Sequence, residues 1–465
     1  MDVPVLLSVA GPAEPELVRA IAVAPGLEVV RRCADVTELL AMAAAGRGAL
    51  AVVSASYLGI DREVVDRLHR AGVGVVGLAN SEDAGRVAAL GCDAVVDVAT
   101  PPSATVTALQ RLRAIVVAHE APGTGSGAAG ESGAAGARSG GAAPAGSASA
   151  GATGSAASPG GSPPSDAGWF AAAPSPDDAA PQRGQVVAVW GTTGSPGRTV
   201  VSANLARLLA DRATTCLIDA DTRAPSLAQV LGIVEDTSGI AVAARAAANG
   251  RLDAEALERA ARIFDGLAVL TGLTRPDRWR EVPASALSVV LDRCRDVYGW
   301  TVVDVAGGWD DDGGDSLGPA RDGAREAVLA EADVVVIVGA ADPVGIWRLV
   351  ELLSVRPRMP GRDVVVVTKS RPGVAGPSPQ HAVREALARF AGVGEAAIVP
   401  YDRAAMDAAL LQGRLLSEVA PDSPALAAIA RVEEIVAGEP PSRASARKRS
   451  RRGGIHKQSR GRARQ

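Results

Sequence analysis

The chain has 465 residues, of which 47% are hydrophobic and 22% are charged. This length predicts about two to four domains, and the composition excludes a wholly disordered chain. The net charge of −4 hides a division along the sequence, because residues 441–465 carry ten Lys or Arg and no acid. Residues 1–440 therefore carry a net charge of −14. Only three of the 48 basic residues are lysine, namely Lys369, Lys448 and Lys457.

The four cysteines and four histidines are scattered and match no metal-ligand spacing. Their positions argue against a zinc site or a disulfide framework. No apolar run approaches the roughly 18 residues that cross a bilayer, and the N-terminus lacks the pattern of a signal peptide. We therefore expect a cytoplasmic protein without a transmembrane segment.

Residues 1–120 alternate short apolar runs with amphipathic helical patterns. Five such β/α units predict a doubly wound parallel sheet covered by helices on both faces. The flavodoxin-like strand order of receiver domains fits the length of this segment. The apolar runs span residues 5–9, 27–30, 49–53, 73–78 and 94–98.

The ends of these runs lack the residues that phosphoryl acceptance needs. A phosphoaccepting receiver domain has acids after its first strand, an Asp at the end of the third, and a Lys after the fifth. Here the first run leads into an Ala-Gly-Pro sequence at residues 10–12, the third ends at Ser54, and no lysine occurs in the segment. We interpret it as a pseudo-receiver domain that serves in docking or dimerisation, with a purely structural role as the alternative.

Residues 121–185 consist largely of Ala, Gly, Ser and Pro. Such a stretch buries too little apolar surface to offset its ordering entropy. We therefore predict a disordered linker between two globular segments, 1–120 and 186–437, and a basic disordered tail at 438–465.

A glycine-rich loop at residues 191–199 opens the second segment, after an apolar strand and before an amphipathic helix. That order directs backbone N–H groups and the positive end of a helix dipole at one small volume, as phosphate-binding loops do. The pattern G-x-x-x-x-G-K-[ST] is broken twice, because Thr192 stands at the first glycine position and Arg198 at the lysine position. The loop alone therefore leaves phosphate binding open.

Aspartates end two further apolar strands of this segment. Asp219 and Asp221 end the strand that begins at Cys216, and Asp304 ends the strand that begins at Trp300. Parallel strands bring their carboxyl ends to one edge of a sheet, so these acids are expected beside the loop, where a Mg²⁺-nucleotide would bind. For any one of them, a cap of a helix or turn is the alternative role.

The order of these motifs is similar to that of the ParA/MinD superfamily of deviant Walker ATPases. The resemblance spans residues 186–437 and implies a P-loop domain of ParA/MinD type that binds ATP and Mg²⁺. It implies that Thr199 and Asp304 bind Mg²⁺, that Asp219 supports the metal site and that Asp221 orients the attacking water. A homodimer in the ATP state is also implied. The phosphates would be held by Gly194, Ser195, Pro196, Gly197, Arg198, Thr199 and Val200.

Two positions depart from the superfamily pattern. Relatives have a signature lysine near the start of the loop that reaches the nucleotide of the partner subunit, and Thr193 stands at that position. Arg198 keeps a positive charge, but its planar fork does not reproduce a compact ammonium. Either the preference of the chain for arginine explains Arg198, or the loop has lost fast hydrolysis. Thr193 favours the second explanation, so we predict ATP binding with slow or undetectable hydrolysis.

A receiver-like domain without a phosphoacceptor, joined to a degenerate ParA/MinD-like domain, resembles the CpaE/TadZ group and the related actinobacterial septum-site-determining proteins. This resemblance implies a localisation factor that positions pilus-assembly, secretion or cell-division machinery at a cell pole, the septum or the inner membrane surface. A chromosome-partitioning ATPase that cycles on DNA and a nucleotide-free scaffold are the alternatives.

The tail has a single large apolar residue, Ile455, and therefore lacks the apolar face of a membrane-targeting amphipathic helix. A basic arm of this kind can bind DNA or an anionic membrane surface through counterion release. A solubilising tail without a specific partner is the alternative.

Overall fold

The computed structural model describes residues 2–9, 13–54, 59–120, 183–194, 196–234, 236–309 and 320–438. For residues 116–120 it describes the backbone only. The predicted linker and tail lie almost entirely outside these residues, as do Ser195 of the glycine loop and the Ala-Gly-Pro sequence at residues 10–12. None of the helices in the described ranges is both long and apolar enough to cross a bilayer.

Strands and helices alternate in the N-terminal part. The strands are β1 (Val3–Ser8), β2 (Leu27–Arg32), β3 (Leu50–Ser54), β4 (Gly74–Ala79) and β5 (Ala94–Asp97). The helices are α1 (Ala13–Ala22), α2 (Val36–Ala44), α3 (Arg62–Arg70), α4 (Ala84–Ala89) and α5 (Pro102–Glu120).

The N-terminal sheet has the flavodoxin-like strand order. Its order is β2-β1-β3-β4-β5, and every neighbouring pair is parallel. Strand β3 is buried along its whole length because helices cover both faces of the sheet. The predicted fold class of this segment is confirmed, whereas its role as a pseudo-receiver stays a prediction.

The C-terminal part is a larger α/β layer structure. Its strands are β6 (Gln185–Gly191), β7 (Thr215–Ala220), β8 (Arg262–Phe264), β9 (Leu267–Leu270), β10 (Trp300–Val305), β11 (Val334–Ala340), β12 (Arg362–Ser370) and β13 (Ala397–Pro400). Its helices are α6 (Arg198–Leu209), α7 (Leu227–Val230), α8 (Gly239–Ala248), α9 (Ala254–Ala260), α10 (Ala284–Val297), α11 (Gly323–Glu331), α12 (Pro343–Val355), α13 (Pro372–Ala375), α14 (Pro379–Ala391), α15 (Arg403–Gln412), α16 (Leu416–Val419) and α17 (Pro424–Val436), with a 3₁₀ helix at Pro276–Glu281.

The strands of the second sheet follow the order β13-β12-β11-β6-β10-β7-β9-β8. Strand β6 is central, and its side chains alternate between two apolar clusters, with Trp190 in one and Val189 in the other. Both faces of the sheet are therefore covered, which confirms the predicted doubly wound α/β class. The chain leaves β6 for β7 on one side and later forms β11 on the other. Ligands of open α/β sheets bind at the carboxyl edge beside such a reversal.

One edge of this sheet differs from the wholly parallel prediction. Strands β8 and β9 are antiparallel, and they are joined by Asp265 and Gly266, whose φ angles are 45° and 80°. Positive φ at both positions is what a two-residue type I′ hairpin requires. Strand β8 has only three residues, too few to give a periodic signal in the sequence.

The two sheets contact each other through α3 and α10 and belong to one compact unit. Nε of Arg62 donates to the carbonyl oxygen of Ser285 at 3.1 Å, and the Ser285 hydroxyl donates to Glu63 at 2.7 Å. A hydrogen-bonded contact thus links the N-terminal part to the C-terminal part.

Candidate functional site

The glycine loop joins β6 to α6 and has the backbone of a phosphate cradle. Gly194 and Gly197 have φ angles of 87° and 94°, in the left-handed region that side chains disfavour. Gly197 is the N-cap of α6, and Val201 donates the first helical hydrogen bond, to the Gly197 carbonyl at 3.0 Å. The amides of residues 198–200 precede that bond and face the volume beyond the helix end, a geometry that favours an anion.

Two predicted acids face each other on neighbouring strands. Asp304 of β10 is in register with Asp219 of β7, and each side chain is 1% exposed. Asp221 follows β7 directly and is 5% exposed. The parallel register therefore brings all three predicted aspartates to the carboxyl edge beside the loop.

Asp304 is the acid whose carboxylate lacks hydrogen-bond partners among the described residues. Neither of its carboxylate oxygens has a hydrogen-bond partner within the described part of the chain. The pKa of this carboxyl is raised to about 8, mainly by burial and next by the charge of Asp219, while the Thr199 hydroxyl and the Arg198 guanidinium act in the opposite direction. A buried polar group without partners marks a place where a cation or another ligand would supply the missing interaction.

Asp219 is held by the backbone instead. Its Oδ2 accepts the N–H groups of Ser226 and Leu227, both at 2.9 Å, and its Oδ1 accepts the N–H of Asp221 at 3.1 Å. Its pKa is raised to about 7, mainly by burial, although the hydrogen bond from the N–H of Leu227 acts in the opposite direction. These bonds fix the turn from β7 to α7, so Asp219 fits a supporting role better than that of a direct metal ligand.

Gly272 makes room for Asp219. A β-carbon at position 272 would lie 2.6 Å from Cγ and Oδ2 of Asp219. The sequence around Gly272 gives no direct sign of this role, because the contact joins segments that are distant along the chain.

Asp221 is paired with Arg198. Its Oδ2 lies 3.3 Å from Nη2 of Arg198, and its Oδ1 accepts the N–H groups of Arg223 and Ala224 at 2.9 and 2.8 Å. The exposed fractions of the Arg198 and Asp221 side chains are 14% and 5%, so the pair is largely buried.

The Arg198 side chain turns back onto its own loop. Its Nη1 donates to the carbonyl oxygen of Thr192 at 2.7 Å, and the space it occupies exists because residue 307 is glycine, since a β-carbon there would overlap Nη1. The guanidinium is thus directed at the loop backbone and at Asp221. Thr193, the second departure in the loop, is exposed.

A cleft of about 440 Å³ extends from the loop along the carboxyl edge. Its far end is formed by Lys369, Pro400, Tyr401 and Met406, and Arg371 stacks on the Tyr401 ring at 5.0 Å from its centroid. A cleft of this size, lined by the loop, by Asp221 and by the Tyr401 ring, suits a ligand with phosphates and an aromatic base. The remaining lining residues are Pro196, Gly197, Arg198, Thr199, Val200, Val201, Asp221, Ala224, Ser226, Thr368, Val399 and Ile429.

The structure thus brings together every described residue of the predicted site. Sequence reasoning did not predict the contact of Thr368, whose hydroxyl donates to the Pro196 carbonyl and ties β12 to the loop. It also missed Ser226, whose Oγ lies 3.1 Å from Oγ1 of Thr199. Neither contact follows from a recognisable spacing in the sequence. The pairs Thr368-Lys369 and Pro400-Tyr401, near the ends of two apolar strands, are a weak sequence signal for the part of the cleft that would hold a base.

The oxygen-rich donor set fits Mg²⁺ with a nucleotide. Thr199 and Asp304 offer a hydroxyl and an unpartnered carboxylate, the hard oxygen ligands that Mg²⁺ takes together with phosphate oxygens and water. Within the described ranges, no group of three or more His, Cys, Asp or Glu side chains is arranged to hold a metal ion by itself.

No protein-family model matches the chain, and no curated protein matches it. Among solved structures, the chain is similar to the cell division ATPase MinD of Pyrococcus furiosus, with 20% identity, a TM-score of 0.44, and coverage of 55% of this chain and 99% of that one. It is also similar to a ParA family ATPase from Chlorobium tepidum, with 18% identity, a TM-score of 0.45, and coverage of 54% and 98%. A third similar structure is the septum site-determining protein MinD of Pyrococcus horikoshii, complexed with Mg-ADP. Its identity is 17% and its TM-score 0.43, with coverage of 54% of this chain and 95% of that one. With TM-scores below 0.5, these similarities assign no function.

Proposed function

We propose that this chain is an ATP-binding spatial regulator whose ATP hydrolysis is slow or absent. The observation that carries the proposal is the buried Asp304 carboxylate, which has no hydrogen-bond partner among the described residues, beside a glycine loop whose helix begins with N–H groups that precede its first internal hydrogen bond. A positively charged ligand at Asp304 and an anionic ligand at the loop satisfy both sets of groups at once. A Mg²⁺-nucleotide combines the two charges in one ligand.

Each described residue of the site has a part in this proposal. The amides of residues 198–200 bind phosphate oxygens, Thr199 and Asp304 hold Mg²⁺, and Asp219 fixes the turn that carries Ser226. When bound, Mg²⁺ neutralises part of the phosphate charge. Asp304 binds the ion only in its deprotonated form, so binding releases the proton that its raised pKa retains.

The pairing of Arg198 with Asp221 supports slow turnover. Both oxygens of Asp221 are already engaged, one by Arg198 and one by two backbone N–H groups. A carboxylate held in this way is poorly placed to orient a water molecule, which is the role that the family resemblance implies for it. Phosphoryl transfer depends on positioning and charge stabilisation, so the pair reduces hydrolysis more than it reduces binding.

We further propose that the nucleotide controls assembly and position instead of driving catalysis. The order of motifs in the sequence, together with the N-terminal flavodoxin-like domain, supports a localisation factor of the CpaE/TadZ or septum-site-determining type that dimerises with ATP. Pilus-assembly, secretion or division proteins are its proposed partners. The proposed contact of the basic tail with DNA or an anionic membrane rests on the sequence alone.

Calorimetric titration of ATP and Mg²⁺ into the full chain tests this proposal. The wild type is expected to bind ATP, and Asp304→Ala is expected to bind it at least tenfold more weakly when Mg²⁺ is present. Asp292→Ala, which removes a 64%-exposed carboxylate, serves as the matched control and should bind as the wild type does. Light scattering in the same samples reports dimer formation.

Two outcomes would contradict the proposal. If the wild type does not bind ATP, the chain is a nucleotide-free scaffold. If it hydrolyses ATP rapidly and DNA accelerates the reaction, a partition-type ATPase replaces the spatial regulator.

A further inference from the structure

A second guanidinium lies against the glycine loop. Arg348 belongs to α12, and a β-carbon in place of the Gly194 hydrogen would lie 2.5 Å from its Nη1. The guanidinium therefore occupies the space next to the loop that any side chain at position 194 would fill. Sequence reasoning did not find Arg348, because it follows β11 and is distant from every motif of the loop.

The local fold of α12 explains how Arg348 reaches the loop. Asp342 caps the helix by accepting the N–H of Gly345 at 3.0 Å. A β-carbon at Gly345 would lie 2.5 Å from the carbonyl oxygen of Ala340, so the helix turns back closely on the end of β11. Strand β11 pairs with β6, and this turn therefore directs the first turns of α12 toward the loop that follows β6.

The Arg348 guanidinium has no charged or hydrogen-bonding partner among the described residues. Within the described ranges it makes no hydrogen bond and no ion pair, and Glu351, one turn further along the helix, does not pair with it. Arg198, by contrast, is held by Asp221 and the Thr192 carbonyl. The loop thus has one guanidinium that is already paired and one that is available.

We propose that Arg348 contacts the terminal phosphate of bound ATP and thereby distinguishes ATP from ADP. This inference rests on the proposed nucleotide site. A guanidinium presents a planar fork that matches phosphate oxygens, and arginines supplied from the same chain stabilise the γ-phosphoryl group in other P-loop proteins. ADP lacks that group, so the contact adds affinity for ATP alone. It also supplies from α12 a cation near the loop, where Thr193 offers none.

The contact would connect the nucleotide state to the surface of α12. Trp347, next to Arg348, is 62% exposed, and Val344 on the same helix is 56% exposed. A movement of α12 that brings Arg348 to a phosphate would also move these apolar side chains, because they belong to the same helix. The fluorescence of Trp347 therefore provides a second readout, measured as the difference between each protein and its Trp347→Phe counterpart.

Calorimetry with Mg²⁺ and either a non-hydrolysable ATP analogue or ADP tests the inference. Arg348→Gln is expected to weaken binding of the ATP analogue about tenfold and that of ADP less than about twofold. Arg348→Lys should retain part of the preference. Arg358→Gln, which removes an exposed arginine in the segment after α12, is the matched control and should leave both affinities unchanged.

The outcomes separate this inference from the proposed function. Wild-type protein that binds neither nucleotide refutes the proposed function and this inference with it. Wild-type protein that binds both nucleotides, with an ATP-to-ADP affinity ratio unchanged in Arg348→Gln, refutes the inference alone. An ATP-dependent change of Trp347 fluorescence that disappears in Arg348→Gln supports it.

Discussion

Replacing Arg198 by alanine tests the ion pair that distinguishes this site. The substitution removes the 2.7 Å hydrogen bond to the Thr192 carbonyl and the 3.3 Å contact with Asp221. A hydrogen bond to a neutral group contributes about 1 kcal/mol and one to a charged group about 1.5–3 kcal/mol. The contact with Asp221 is long, and that carboxylate keeps two backbone N–H donors, so we expect the free energy of unfolding to fall by about 2–3 kcal/mol.

The assay is urea unfolding of the nucleotide-free protein, followed by ATP hydrolysis on the same preparations. Arg403→Ala is the control, because Arg403 and Asp407 form an exposed pair with exposed fractions of 77% and 59%. Its removal should change stability by less than about 0.5 kcal/mol. We expect the low hydrolysis rate of the wild type not to fall further in Arg198→Ala, since Arg198 restrains Asp221. A fast wild-type rate that Arg198→Ala abolishes would refute this reasoning, because Arg198 would then be the catalytic cation.

Two further changes test the acidic edge of the sheet. Without Mg²⁺, the free energy of unfolding of the wild type should fall by on the order of 1 kcal/mol or more per pH unit between pH 6 and 8, because the folded state retains protons on Asp304 and Asp219, whose pKa values are raised to about 8 and about 7, while the unfolded chain has already lost them; Asp304→Asn should reduce this slope, and a flat wild-type profile would contradict the buried carboxyls. Gly272→Ala should destabilise the fold by about 2–3 kcal/mol, because the new methyl group would lie 2.6 Å from the Asp219 carboxylate. In Gly373→Ala the methyl group meets no atom within 4 Å, and urea midpoints that shift equally in the two alanine variants would show that the contact with Asp219 is not tight.

Much of the fold and of the site follows from the sequence by simple rules. Buried strands with no polar face, such as β10, predict a parallel sheet covered on both sides. The parallel arrangement then places Asp219 and Asp304 at one edge, as the register confirms. Gly194 and Gly197 belong to the predicted phosphate loop, and both have the positive φ that glycine readily adopts. These features depend on local pattern and on the direction of the strands.

The contacts that determine the chemistry depend on distant segments. Arg198 turns onto Asp221 because residue 307 leaves space for it, and no pattern in the loop itself contains that information. Arg348 reaches Gly194 from a helix that starts after another strand. Tertiary packing also explains why the Asp304 carboxylate has no hydrogen-bond partner among the described residues. Sequence therefore predicts which residues meet, while the tertiary structure determines which of their charges are paired.

Single-turnover hydrolysis tests the central claim most directly. Labelled ATP and Mg²⁺ are mixed with an excess of the full-length protein, and the bound fraction and the hydrolysed fraction are followed in the same sample. The paired Asp221 and the unpartnered Asp304 predict that ATP is bound and is then hydrolysed far more slowly than the roughly 1 s⁻¹ at the low end of common enzyme rates. ATP that stays unbound, or that is hydrolysed at about 1 s⁻¹ or faster, would contradict the account.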